Sequence, residues 1–264
     1  MKKFFAIMSI LFIGTLLFAH EYVLLAYKYK VQKGDTLEMH LFVADGFNIQ
    51  LERPLEKGKT IKFELISENG NTNLMEDAQN GTLPVAYRKV DFNGLGLIHM
   101  ERDYARISLP AGKFLEYVKE DHLDIDLKSI DRQKLQRERY TRYLKSLVLS
   151  GADNNGNEYK KVLGQNFEIV LLQNPYLLHH GNLLQAKILF MGKPLVNKVI
   201  TARNRLGSEN THALTSITDA NGICRFKINR KGEWFIHATH MIPCPDKTDS
   251  DWESFWTSYS FYIS

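Results

Sequence analysis

Cysteine is scarce: Cys224 and Cys244 are the only two in 264 residues, and no CxxC pair exists. That removes a zinc ribbon and a dithiol redox centre and leaves one disulfide as the most the chain can form. Seven Pro and 17 Gly are too few for a linker or collagen-like chain. A strong excess of one charge is also missing. The formal charge is +4, and Lys2 and Lys3 supply two of those charges, so bulk charge offers nucleic acid little attraction. No GxSxG, HExxH or P-loop occurs, and Gly94-Leu95-Gly96 lacks both a third glycine and a βαβ setting. The chain is therefore expected not to be an enzyme. What remains is ordinary globular composition, 44% hydrophobic and 24% charged, enough for one large domain or two smaller ones.

Long apolar runs are absent save one. Lys2 and Lys3 precede Phe4 to Phe18, an apolar run interrupted by Ser9, Gly14 and Thr15 and ending at Ala19. A charged start, an apolar middle and a small residue at the cut form a secretory signal peptide, residues 1–19. The run is about 15 residues, against the roughly 20 of a membrane-spanning helix. The expectation is a chain exported to a bacterial periplasm, with no stable membrane insertion after cleavage. Cleavage after Ala19 makes His20 the new terminus. Its α-amine and imidazole both offer neutral nitrogen near neutral pH and chelate one ion through a small ring. Cleavage two residues earlier gives Phe18-Ala19-His20, the spacing of a square-planar copper or nickel chelate.

Period-two patterning dominates the next ninety residues. Leu37, Met39, Leu41 and Val43 alternate with Glu38 and His40, and Ile61, Phe63 and Leu65 share a second face. Further short strands fit Pro84 to Val90, Gly96 to Met100 and Ala105 to Leu109, so residues 20–110 are expected to form an N-terminal β-sandwich. The period then changes. Phe114, Leu115, Tyr117 and Val118 have helical spacing, and Tyr140, Tyr143, Leu144, Leu147 and Val148 read as a second helical stripe. Lys134, Arg137, Arg139, Arg142 and Lys145 would be its solvated face. Residues 111–156 are thus expected to be a helical insertion and linker, ending in the polar loop Gly151 to Gly156.

A second all-β block follows over residues 157–264. Strands fit Phe167 to Leu172, Leu183 to Phe190, Val199 to Arg203, Cys224 to Ile228, Glu233 to Met241 and Ser258 to Ile263. The 224–228 and 233–241 strands are expected to pair as a hairpin. About seven strands in roughly 95 residues suit an immunoglobulin-like sandwich. The fold class is therefore all-β with a helical insertion.

Gly192-Lys193-Pro194-Leu195 followed by Thr218-Asp219-Ala220-Asn221-Gly222 resembles transthyretin-like and carboxypeptidase-regulatory sandwich modules. The wider set resembles the NikM-like periplasmic family associated with nickel or cobalt uptake. It comprises Ala19-His20-Glu21, Leu109 to Phe114, Arg137 to Lys145, His240-Met241 and Asp251 to Trp256. The resemblance covers essentially the whole mature chain. It implies a periplasmic piece that binds or presents a divalent ion to separate membrane transporter components, with His240 beside Met241 in the matching motif.

Nine His residues are available. His237 and His240 are three apart, so a regular strand points them to opposite faces. Trp234, Ile236, Ala238 and His240 share one parity; Phe235, His237, Thr239 and Met241 share the other. The chosen metal pair is His20 with His240, and His237 is the reserve. His179-His180 reads as a loop feature, His40 as facing away from Leu37, Met39 and Leu41, and His99, His122 and His212 as isolated. Asp246, Asp249, Asp251 and Glu253 lack calcium-loop spacing and read as an exposed acidic loop. Three functions compete: a nickel- or cobalt-class binding protein supporting uptake, a metal-free envelope scaffold, and a copper-dependent oxidase with an N-terminal histidine brace.

Overall fold

The computed structural model describes residues 21–76 and 78–264; residues 1–19, where a signal peptide is expected, and His20 lie outside the described residues. In chain order the elements are β1 (Glu21–Ala26), β2 (Lys30–Val31), β3 (Thr36–Asp45), β4 (Asn48–Glu52), β5 (Thr60–Ser67), β6 (Gly70–Asn73), β7 (Ala86–Lys89) and β8 (Gly94–Pro110). Helix α1 (Ala111–Glu120) precedes β9 (Leu135–Ser150), β10 (Phe167–Leu171), β11 (Leu183–Phe190), β12 (Lys193–Pro194) and β13 (Val199–Arg205). The chain ends with β14 (His212–Ile217), β15 (Ile223–Lys227), β16 (Gly232–Pro243) and β17 (Trp252–Ile263). Among the described residues no helix is long and apolar enough to cross a membrane.

The fold is all-β. In the C-terminal half, β10, β11 and β15 form one sheet and β14, β13, β16 and β17 the other. Read in sequence, these are the A-B-E and C′-C-F-G sheets of an immunoglobulin-like sandwich. The expected hairpin between the 224–228 and 233–241 segments does not form. β15 pairs with β11 and β16 pairs with β13 and β17, so the chain crosses between sheets there. Asn221-Gly222 does make the tight turn into β15. Gly222 has φ +73°, and a Cβ there would meet the Ile188 carbonyl oxygen at 2.9 Å, so a residue larger than glycine is excluded on two counts.

In the N-terminal half, β1, β3, β4 and β7 cover β5, β8 and β9. The two halves share a sheet. β17 pairs in parallel with β9, from Trp252↔Glu138 to Ser260↔Ser146, giving a nine-stranded sheet with a small sheet on each face. Leu95, Leu97, Tyr143 and Leu147 face the C-terminal core, while Ile98, Met100, Leu144 and Val148 face the N-terminal core. Covering on both faces explains why Gly94 to Met100 and Tyr143 to Ser150 are buried without alternation.

The segment expected to be a helix between residues 131 and 150 is strand β9, and only Ala111–Glu120 of the 111–156 segment is α-helical. Two features hid the strand. Its C-terminal half is buried on both faces, so the apolar residues fit a helical stripe equally well. Its N-terminal half buries polar residues: Trp252 Nε1 donates to Gln136 Oε1 at 3.0 Å, and Tyr117 Oη and Ser254 Oγ donate to Glu138. The basic residues do not coat a solvated helix. Arg137 and Arg139 bind Asp251, Asp249 and Glu253, so the acidic loop and the basic run neutralise each other. Lys145 is fully buried, with Glu168 Oε1 at 2.7 Å and the Ile169 carbonyl at 3.0 Å.

Three features carry the chain to the site. β17 presents serines toward β1, and Ser258 Oγ and Ser260 Oγ donate to the Tyr22 and Leu24 carbonyls at 3.0 and 2.6 Å. Small side chains let β1 lie close against the long sheet. Helix α1 packs Phe114, Tyr117 and Val118 beside Trp252 and Met241. It ends in a Schellman pattern, with Leu123 N–H donating to the Val118 carbonyl at 2.9 Å and His122 N–H to Lys119 at 3.3 Å.

Candidate functional site

Glu21 and His237 meet in a cleft of about 460 Å³. Its floor is the face of β13, β14 and β16 that carries Thr201, Arg203, Thr215, His237 and Thr239. The start of β1, the end of β3 and the C-terminal end of α1 form its walls. Four carboxylates, Glu21, Asp45, Glu120 and Asp121, face one guanidinium, Arg203.

Glu21 is 5% exposed, and both its oxygens are fixed. Oε2 accepts from Gly46 N–H at 2.9 Å, and Oε1 accepts from Arg203 Nη2 at 3.1 Å. Gly46 has φ +61°, and a Cβ there would reach Thr211 Cγ2 at 2.6 Å, so the turn that delivers this amide needs glycine. Oε1 also lies 3.1 Å from His237 Nε2. The approach is close but not aligned as a hydrogen bond, and Nε2 has no hydrogen-bond partner among the described residues. Burial pushes His237 down to about 4, with Glu21 opposing and Arg203 adding to that shift. The ring is therefore neutral at pH 7 and keeps a nitrogen lone pair for coordination.

Asp121 Oδ2 accepts from Thr239 Oγ1 at 2.8 Å, and burial pushes its carboxyl up to about 6. Lys198, pushed down to about 8 by burial, donates from Nζ to the His122 carbonyl at 2.9 Å. His122 occupies the position after the helix cap with φ +50°, where glycine is usual and a side chain is strained. That conformation places His122 on the cleft wall. Sequence reasoning treated His122 as isolated. The available signal was a non-glycine residue just after a helical stripe, immediately before the apolar Leu123.

Of the expected ligands, the structure describes His237 and His240 and puts them on opposite faces of β16. His237 lies in the cleft, next to the residue that follows His20 in the chain. His240 lies on the opposite face of β16, half-buried, with its ring centroid 4.4 Å from that of Phe190 and 6.1 Å from that of Phe167. His20 lies outside the described residues, so its pairing with either histidine stays an expectation; His240 faces the C-terminal core and His237 faces the cleft. His40 is held between Glu52 and Glu38 at 2.7 and 3.0 Å on the outer face of β3. His179 and His180 are exposed on a turn. His99 is buried beside Glu64. Cys224 and Cys244 are both buried and unbridged. Among the described residues no three His, Cys, Asp or Glu side chains already form a metal-ligating group. The cleft thus offers a partial donor set, imidazole nitrogen with carboxylate oxygen, a chemistry suited to borderline divalent cations.

Fold and cleft together define an all-β, immunoglobulin-like protein with an acidic, histidine-bearing cleft beside its first strand. The chain belongs to the family described as Domain of unknown function (DUF4198), whose profile matches residues 17–242. No curated protein matches it. Among solved structures, the D0-D1 domain of Intimin aligns over 91% of this chain and 96% of its own, at 10% identity and TM-score 0.21. A tetra-tandem repeat from the extending region of a large adhesion protein aligns over 92% of this chain at 9% identity and TM-score 0.22. The chain covers 49% of that second structure.

Proposed function

We propose that this is an exported, non-enzymatic binding protein for a divalent transition metal of the nickel or cobalt class, carried as cargo in support of uptake through a membrane transporter component. The reading is supported by one observation above all. Glu21, the residue directly after His20, sits 3.1 Å from an unpartnered, neutral His237 nitrogen in a cleft with four carboxylates. Signal cleavage after Ala19 would bring an α-amine and a second imidazole to that point in the chain. His20 and His237 are the proposed ligands, Glu21 and Asp121 supply negative charge, and His122 is a further nitrogen at the rim.

Calorimetry on the protein beginning at His20, titrated with Ni²⁺, Co²⁺, Cu²⁺ and Zn²⁺, tests this. One-to-one binding is expected. It should weaken by about a hundredfold or more both in His237→Ala and in a protein retaining residues before His20, and persist in His240→Ala. Equal binding by all four proteins removes the proposed site. Absence of binding leaves the metal-free envelope scaffold as the reading, and redox turnover of the copper form would favour the oxidase.

A further inference from the structure

A second cleft, of about 350 Å³, opens on the other side of Trp256, between β1, β4 and the irregular part of β8. Its volume falls within the range of small-molecule sites. The register of β8 against β9 shifts between Arg102 and Ala105, and such a bulge bends a strand and redirects its side chains. Val43 and Leu51 line one side of this cleft and Ile107 and Leu109 another. Leu51 is 41% exposed, an apolar surface left open in a wall that a bound body would cover.

Arg142 projects into this cleft from β9. Its guanidinium carbon lies 4.0 Å from the Tyr22 ring centroid and 4.5 Å from that of Tyr140. The cation is held by two aromatic faces, as planar guanidinium favours. Arg102, Arg137, Arg139, Arg203 and Arg205 all have carboxylate partners. Arg142 makes no ion pair with any described residue, and its Nε is buried without a hydrogen-bond partner. Arg53, also lining the cleft, has a buried Nε without a partner, and its Nη2 is 3.6 Å from Glu56. The aromatic faces are already occupied by a cation, while positioned N–H donors lack acceptors. Although Glu56, Asp103 and Glu138 also line the cleft, the Nε–H groups of Arg142 and Arg53 are donors suited to an anion.

We propose that this cleft binds a small organic monocarboxylate with an aromatic or branched apolar body. The carboxylate sits on Arg142, assisted by Arg53, and the body lies against Leu51, Ile107 and Leu109. Glu138, at the floor, is held by Tyr117 and Ser254 and remains a structural group. The inference does not depend on the metal cleft.

Phenylacetate is the probe, followed by calorimetry and saturation-transfer NMR, with benzyl alcohol and inorganic phosphate as the body and the charge alone. Saturable phenylacetate binding is expected, with each half binding at least about tenfold more weakly, a difference of about 1.4 kcal/mol. Arg142→Gln should weaken phenylacetate at least about tenfold. Arg142→Lys should weaken it too, since an ammonium lacks the planar fork. Arg106→Gln, on a 60% exposed side chain paired with Asp249, should leave it unchanged. Thermal melts check folding of each variant, and Leu51→Asp at its exposed position tests the apolar wall if Arg142→Gln does not fold. The proposal is overturned if phenylacetate shows no saturable binding, if phosphate binds as well as phenylacetate, or if Arg142→Gln and Leu51→Asp both bind as the parent does.

Discussion

Strand β16 carries two histidines three residues apart, and they have opposite surroundings. On one face His240 stands edge-on to Phe190 at 68° in a setting completed by Phe167 and Phe255. On the other, His237 meets Glu21, Arg203 and an open cleft. Both imidazoles are pushed down to about 4, burial being the first cause for each. The electrostatic outcome is the same, yet of the two only His237 has a carboxylate oxygen in close approach, Glu21 Oε1 at 3.1 Å. A depressed histidine pKa by itself does not identify a site. The neighbouring groups do.

The largest effect expected from breaking this contrast lies on the apolar face. Phe255 is fully buried against Phe190, so Phe255→Ala should lower unfolding free energy by about 3–5 kcal/mol. Urea titration measures it, and metal binding by the folded remainder should be unchanged. A stability loss with an equal loss of metal affinity would mean that the two faces are energetically one unit.

The next effect concerns pH at the second cleft, which Glu138 lines. Burial raises Glu138 to about 7, whereas an unfolded glutamate titrates near about 4.3. The folded state holds this proton more tightly, so the contribution is fully present below about pH 4.3 and is lost as pH rises through about 7. Between about pH 5 and 8 the loss should be on the order of 1–3 kcal/mol, and Glu138→Gln should flatten it. Urea titrations of both proteins across that range give the comparison; parallel slopes would place the titration elsewhere.

His240 should act with the opposite sign. Its folded value is about 4 against about 6.5 unfolded. Its contribution is present above about pH 6.5 and lost as pH falls through about 4. At pH 7, His240→Leu should change stability by less than about 1 kcal/mol, and below about pH 5 it should make the protein less acid-sensitive than the parent. The smallest expected effect is none. Cys224 and Cys244 are unbridged, so reductant should leave the thermal midpoint unchanged and denatured protein should titrate two thiols.

The alternation of Leu37, Met39 and Leu41, the helix at Phe114 to Val118, the Asn221-Gly222 turn and the parity of β16 were all legible in the sequence. Each depends on local spacing or local backbone chemistry. Strand β9 was not legible, because its character is decided by partners far along the chain. Burial on both faces erased its alternation, and Gln136 and Glu138 are polar residues whose hydrogen-bond partners come from β17 and α1. The cleft was half legible. His237 was a candidate because of its strand position, whereas Glu21 figured only within the Ala19-His20-Glu21 motif, His122 read as isolated and Asp121 was not singled out. Nothing local says that strand β1, the end of helix α1 and strand β16 converge.

The parallel contact between β17 and β9 has a consequence for assembly. Until the final strand docks, β9 presents an unpaired backbone edge for much of its 16 residues, and so does β16. Such edges recruit other chains. Synthesis delivers β17 after both of its neighbours, β9 and β16, so each half waits on it for protection. A chain stopped before Trp252 would lack not one strand of one sandwich but the seam of both, and self-association of such a fragment is the expected fate.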